Sequence, residues 1–420
     1  LTYGETVVKT DILVPEKGKR FIVNVTITNN GKEDKKYRIL KCAFPYLNEL
    51  LMAPWDKPEW YTRTEYLKDK NAFLTTKFSV AGNKEERRYL TVTESDEPKY
   101  RELSLERLTT STKNFTTVPS VIGKNTEDVL YAFKQCVSGL SEIAVRSGES
   151  YSFTQVFSVT DNEKNVSEDI AAAKKYFDSA AQEDELKKLE KKYNELFSVR
   201  TVKTGNADFD KFVNGFLPLE MYWVSSLDRG WPTGMRGVRD AANDFEGMLC
   251  YDKEMCKGVI ENIFSKQRSD GWYPRQVPFG SGTKFDLREF VDSACFFTEY
   301  VYDYLAYTDD YSILEKKYLY YDNETAETGL THLKKGMDYL IAKDSLGVHR
   351  LVKMRGGDWL DCLSGVGKRG KGESVMVSCQ LVMCLDYLTQ ILEKLGSSEE
   401  IEKYTTAAEI LKKAINEASF

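Results

Sequence analysis

The residues with the most chemical potential in this chain lie between 356 and 374. They read Gly356-Gly357-Asp358-Trp359-Leu360-Asp361 and, a few positions on, Gly365-Val366-Gly367-Lys368-Arg369-Gly370-Lys371-Gly372-Glu373-Ser374. Acid catalysis on a sugar needs a carboxyl group that holds a proton near neutral pH, an apolar plane for the ring, and backbone that can approach hydroxyls closely. Asp361, Trp359 and the glycines supply one of each, with Asp358 and Glu373 as further candidates for ligand contact. The competing assignment is a polar loop between helices whose aspartates and glycines only cap helix ends.

A second segment of this kind is Arg229-Gly230-Trp231-Pro232-Thr233-Gly234-Met235-Arg236-Gly237-Val238-Arg239-Asp240-Ala241-Ala242-Asn243-Asp244. Arg236, Arg239, Asp240 and Asp244 fall at a loop-to-helix junction, and Asp240 and Asp244 are one turn apart, expected on the same side. Carboxylates accept and guanidiniums donate in pairs, so such groups can grip sugar hydroxyls. A helix N-terminus with its own acids and a salt bridge would read the same way. The third segment, Gly271-Trp272-Tyr273-Pro274-Arg275-Gln276-Val277-Pro278, offers aromatic faces and the Gln276 amide, or a packed turn.

The elements that must carry these loops follow from periodicity. Residues 1–165 alternate apolar and polar positions, as in Phe21–Thr28 and Tyr151–Val159, with Asn29-Asn30-Gly31 as a turn. An antiparallel β-sandwich is expected there. A helical linker over 166–203 is expected to open at Ser167-Glu168-Asp169. From 204 to 420 the pattern is almost purely helical, with helices expected near 207–224, 240–266, 288–308, 326–343, 373–396 and 398–417. Long loops between helices suit an α/α toroid better than a tight bundle. The fold class is thus multidomain β + α: sandwich, helical linker, then part of an (α/α)6 barrel.

The 420 residues carry a net charge of −6 and a pI near 5.4, which argues against nucleic acid or an anionic membrane as partner. Eight cysteines without a C-x-x-C spacing are expected to be mostly buried reduced thiols, which places the chain in a reducing cytoplasm. Two histidines, His332 and His349, leave little for a metal site or a Ser-His-Asp hydrolase. No apolar run is read as approaching the ~20 residues that span a bilayer.

Taken in order, G-V-R-D-A-A-N-D at 237–244, G-D-W-L-D at 357–361 and G-K-G-E-S at 370–374 resemble the glycoside hydrolase family 94 phosphorylases. That group acts on cellobiose, chitobiose, laminaribiose and β-1,2-oligoglucans. The order of parts agrees over essentially the whole chain. The resemblance implies an inverting phosphorylase in which Asp361 is the general acid, and Trp359 with the R-D-x-x-x-D residues holds the transferred sugar. It implies no cofactor beyond inorganic phosphate as co-substrate, a β-glucan oligosaccharide as the other partner, and a homodimer. Leu360 stands where many members have Asn, which puts individual sugar contacts in question. The family's phosphate-binding residues are expected beyond Phe420, the rest of the barrel coming from a missing segment or another chain. The rivals are an inverting hydrolase, which needs a second carboxylate to activate water, a module of a cyclic β-1,2-glucan synthase, and a sugar-binding protein without catalysis.

Overall fold

The computed structural model describes residues 1–45, 47, 62–81, 84–104, 108, 129–131, 135–227, 235–278, 284–363 and 365–419. They form two compact units, Leu1–Asn194 and Glu195–Phe420.

The first unit holds two antiparallel sheets. Eight strands hydrogen-bond in the order Thr2–Tyr3, Thr6–Leu13, Arg20–Asn29, Ser150–Thr160, Lys84–Glu94, Ala72–Ala81, Thr62–Leu67, Val129–Tyr131. Three more run Lys35–Ala43, Gln135–Val145, Tyr100–Ser104. Period-two alternation puts one face of strands such as Thr62–Leu67 inward, and Tyr66, Phe73 and Val92 of the large sheet share a core with Leu103 and Val137 of the small one. Each such side chain contributes roughly 1.5–3 kcal/mol by leaving water. Phe21 stands opposite Phe157 in the register, their rings stacked 4.5 Å apart. The expected turn is present: Asn29 Oδ1 accepts from Gly31 N at 3.0 Å.

The linker begins one residue before the expected cap, so Ser167 lies inside helix α1 (Val166–Lys174). Its Ile170 packs with Ala72 and Tyr89, and its Ala173 with Ile22 and Val156, covering the large sheet. Helix α2 (Ser179–Phe197) follows after a short turn and buries none of its side chains fully.

The second unit continues with α3 (Ala207–Lys211), capped by Asn206, a π turn at Phe212–Phe216, and α4 (Leu217–Leu227). The single helix expected over 240–266 is two, α5 (Val238–Glu246) and α6 (Lys253–Phe264). Asp252 restarts the chain as an N-cap, its carboxylate accepting from Met255 N at 2.9 Å, a signal hidden by the continuous apolar spacing. Then come α7 (Ser293–Thr308), α8 (Ser312–Glu315), α9 (Gly329–Ile341), α10 (Val375–Lys394) and α11 (Ile401–Ser419). Phe245, Phe264, Phe297, Met337, Leu385 and Tyr404 belong to their common core.

Three expectations need correction. The helical half also contains two-stranded ribbons, Met235–Gly237 with Gln276–Pro278, Lys317–Leu319 with Ala326–Thr328, and Val352–Lys353 with Glu373–Ser374. Strands of two or three residues are too short to carry a period. Of the eight thiols, Cys136, Cys256, Cys295 and Cys384 are buried, Cys250 is half-buried, and Cys42, Cys362 and Cys379 are exposed. Helix α10 is long and apolar enough to cross a membrane by length and composition, and its Leu381, Leu385, Leu388 and Leu392 lie in the helical core.

Candidate active site

The loop that carries Asp361 is pinned beside the segment leading into α7. Gly356 N donates to Glu289 O at 2.8 Å, and Val291 N to Gly357 O at 3.0 Å. Gly357 has φ +148° and a Cβ there would lie 2.8 Å from the Phe290 ring, so only glycine lets the loop lie this close.

Asp358, buried to 2% exposure, spends both oxygens inside the loop. Oδ1 accepts from Leu360 N at 2.9 Å and Oδ2 from Ser374 Oγ at 2.6 Å. Instead of being open to a ligand, as the sequence suggested, it braces the turn. That brace presents Trp359, 54% exposed, and then the 3-10 turn Asp361–Leu363. An indole this exposed is not core filler.

Asp361 is held by two guanidiniums. Arg239 Nη2 donates to Oδ1 at 2.7 Å and Arg275 Nη2 to Oδ2 at 2.5 Å. Arg239, early in α5, also donates through Nη1 to Asp292 Oδ2 at 3.0 Å and to the Asp358 carbonyl at 3.2 Å. Arg275 is backed by Asp286 Oδ2 at 3.0 Å and lies over the Phe290 ring, 4.8 Å from its centroid. Partial burial pushes the Asp361 carboxyl up, but the hydrogen bonds and charges of Arg239 and Arg275 outweigh it and hold the group below its ordinary range. As placed, Asp361 is an anion, contrary to the expectation of a carboxyl that holds a proton near neutral pH. Asp292 behaves oppositely: burial raises it more than Arg239 lowers it.

The remaining candidates divide. Arg236 is 1% exposed and pairs with Asp244 Oδ2 at 2.6 Å, while also donating to Val224 O at 2.9 Å and to Ser225 O. This is the buried salt bridge that the same residues allowed, and it fixes α4 against α5. Asp240 and Asp244 do not act as a pair. Asp240 folds back so that its Oδ2 lies 2.0 Å from where a Gly237 Cβ would be. Gln276 lies half-buried in the ribbon opposite Gly237. Glu373 is occupied by His349, whose N donates to Oε1 at 3.0 Å and whose Nδ1 meets Oε2 at 2.5 Å. Residues 229–234 of the second segment lie outside the described residues. Lys368, Arg369 and Lys371 are exposed.

Sequence reasoning missed Arg275 and Asp292. Arg275 sat in the third segment, overshadowed by Gln276 beside it. Asp292, directly ahead of α7, reads as a helix cap, yet its side chain makes no cap bond and instead accepts from Arg239.

The catalytic-domain model of the glycosyl hydrolase 94 superfamily matches residues 192–420. A solabiose phosphorylase from Paenibacillus borealis is 28% identical over 195 residues, 45% of this chain and 24% of that protein. A cellobionic acid phosphorylase from Neurospora crassa is 24% identical over 220 residues, 51% of this chain and 27% of that protein. The chain thus matches about a quarter of the length of these relatives. A solved structure described as a kojibiose phosphorylase from the human microbiome superposes over 99% of this chain and 54% of that one, with a TM-score of 0.56 at 10% identity. That likeness concerns the fold.

Proposed function

The chain belongs to the glycosyl hydrolase 94 superfamily, and from that premise we propose that it is the sandwich and first barrel portion of an inverting β-glucoside phosphorylase. In this reading α3 to α11 are helices of an (α/α)6 barrel whose loops gather at Asp361. A β-linked gluco-disaccharide or oligosaccharide enters with its non-reducing ring along Trp359. Asp361 gives a proton to the glycosidic oxygen, and inorganic phosphate attacks the anomeric carbon from the opposite face. The products are α-glucose 1-phosphate and the shortened sugar. Phosphate is already an anionic nucleophile, so one catalytic carboxyl suffices where an inverting hydrolase needs two.

The observation that carries this reading is Asp361 on an exposed turn, tied by Arg239 to α5 and to the head of α7, with an exposed indole two residues before it. The carboxylates behind Arg239 favour phosphorolysis over hydrolysis: Asp292 and Asp358 are 1% and 2% exposed and already bonded, poorly placed to activate water.

The test is incubation of the full-length protein with β-linked glucose disaccharides, with and without phosphate. Glucose 1-phosphate formed only with phosphate is the expected result, and Asp361→Asn lowers its rate by about 10²–10⁴. Free sugar released equally well without phosphate assigns a hydrolase instead.

A further inference from the structure

An acid that protonates a leaving oxygen must turn one protonated oxygen towards it, and a guanidinium only donates hydrogen bonds. Both oxygens of Asp361 are taken by guanidiniums. While both arginines hold on, each oxygen faces a guanidinium charge and the proton the acid needs is disfavoured. The three side chains differ in freedom. Arg239 and Arg275 are 13% and 17% exposed, each anchored by a second carboxylate, whereas the Asp361 side chain is 45% exposed on its turn.

We propose that Arg275 is a positioning residue that holds Asp361 as an anion in the free protein and releases it when sugar binds, arming the acid only in the complex. The inference rests on Asp361 being the proton donor. Pivoting on Arg239, Asp361 swings from Arg275, takes a proton from solvent and passes it to the leaving glycosidic oxygen. That oxygen becomes a hydroxyl as its bond to the anomeric carbon breaks and a phosphate oxygen bonds that carbon from the opposite face, and the carboxylate returns to Arg275. Among the described residues, the charged groups facing Asp361 are Arg239 from α5, Arg275 just ahead of the ribbon strand Gln276–Pro278, and Arg288 from the segment before α7, acting through space. Behind the arginines stand Asp292 and Asp286; Asp358, on the same loop, is turned to Ser374.

The pH dependence of kcat/KM reports the free enzyme and that of kcat the complex. In the full-length wild type the alkaline limb of kcat is expected at higher pH than that of kcat/KM. Arg275→Met moves the kcat/KM limb up towards the kcat limb; Arg275→Lys keeps the charge and leaves it near wild type. Asp286→Asn, which frees Arg275 to hold Asp361 harder, moves it down and serves if the Met variant does not fold. Coincident wild-type limbs overturn the proposal, as does an unmoved limb in a Met variant that melts like wild type. Equal movement in the Lys and Met variants also overturns it. A carbon-13 titration of labelled aspartates, with Asp361→Asn identifying the signal, reads the same carboxyl without substrate. Upward titration in Arg275→Met alongside absent phosphorolysis would separate a true clamp from a wrong reaction.

Discussion

At the scale of single residues, the site contrasts a carboxylate that is reachable with carboxylates that are spent. Asp358, Asp244 and Glu373 are each consumed by a neighbour inside the fold, whereas Asp361 and Trp359 stay exposed to solvent. Trp359→Ala therefore tests ligand contact with little confusion from packing. An exposed side chain away from special backbone features changes stability by no more than about 0.5 kcal/mol, so the melting temperature should stay put. KM for the disaccharide should rise and kcat fall, together losing about fivefold in kcat/KM, since an aromatic face against a ring contributes on the order of 1 kcal/mol. Unchanged Michaelis parameters with a lowered melting temperature would return the indole to a packing role.

At the scale of elements, the loop at 356–374 is positioned by the start of α10. Ser374 accepts from Val377 N at 3.1 Å as N-cap and donates to the buried Asp358 at 2.6 Å. Ser374→Ala removes the cap, about 1 kcal/mol, and leaves a buried carboxylate oxygen short of a donor, on the order of 1–3 kcal/mol more. Chemical denaturation should show a loss of about 2–4 kcal/mol, with kcat falling as the Asp361 turn loosens; Ser374→Thr should retain most of both. A loss under about 0.5 kcal/mol would show that the brace is not needed. The same element shows what could be read beforehand. Gly356-Gly357-Asp358-Trp359-Leu360-Asp361 announced a loop with an exposed acid because glycine and aspartate spacing is local information. That Arg275 would meet Asp361 depends on contacts between residues far apart in sequence, and that Arg236 would turn inward to Asp244 depends on how α4 packs against α5. Helix α5 stopped at Glu246 because turn geometry overrode an apolar period that runs straight through.

At the scale of the whole molecule, the two units carry their titratable groups unequally. Both histidines of the chain, His332 and His349, lie in the helical unit. His349 is an exposed partner of Glu373, whereas His332 is fully buried. Its Nε2 meets the carbonyl of Tyr318 at 3.1 Å and so carries the hydrogen, and Nδ1 has no partner among the described residues. Tyr320 stacks on the ring at 4.3 Å and Phe264 stands edge-on at 5.8 Å. Protonation at Nδ1 would bury a charge in this aromatic box, and burial pulls the histidine down to about 4; the Tyr318 carbonyl and the Glu327 charge oppose this weakly, while Lys335 adds to it. A folded pKa below the unfolded one, about 6.5, means the unfolded chain binds the proton first. The contribution of His332 is then complete above about 6.5 and is lost as pH falls from there towards 4. The sandwich unit has no histidine and lacks this loss. Acidification from pH 7 to pH 5 should lower the melting temperature followed by the far-ultraviolet helix signal. His332→Gln, which keeps a donor for Tyr318 but binds no proton, should flatten that slope. A slope identical in the variant and the wild type would mean that other groups in the helical core govern its acid sensitivity.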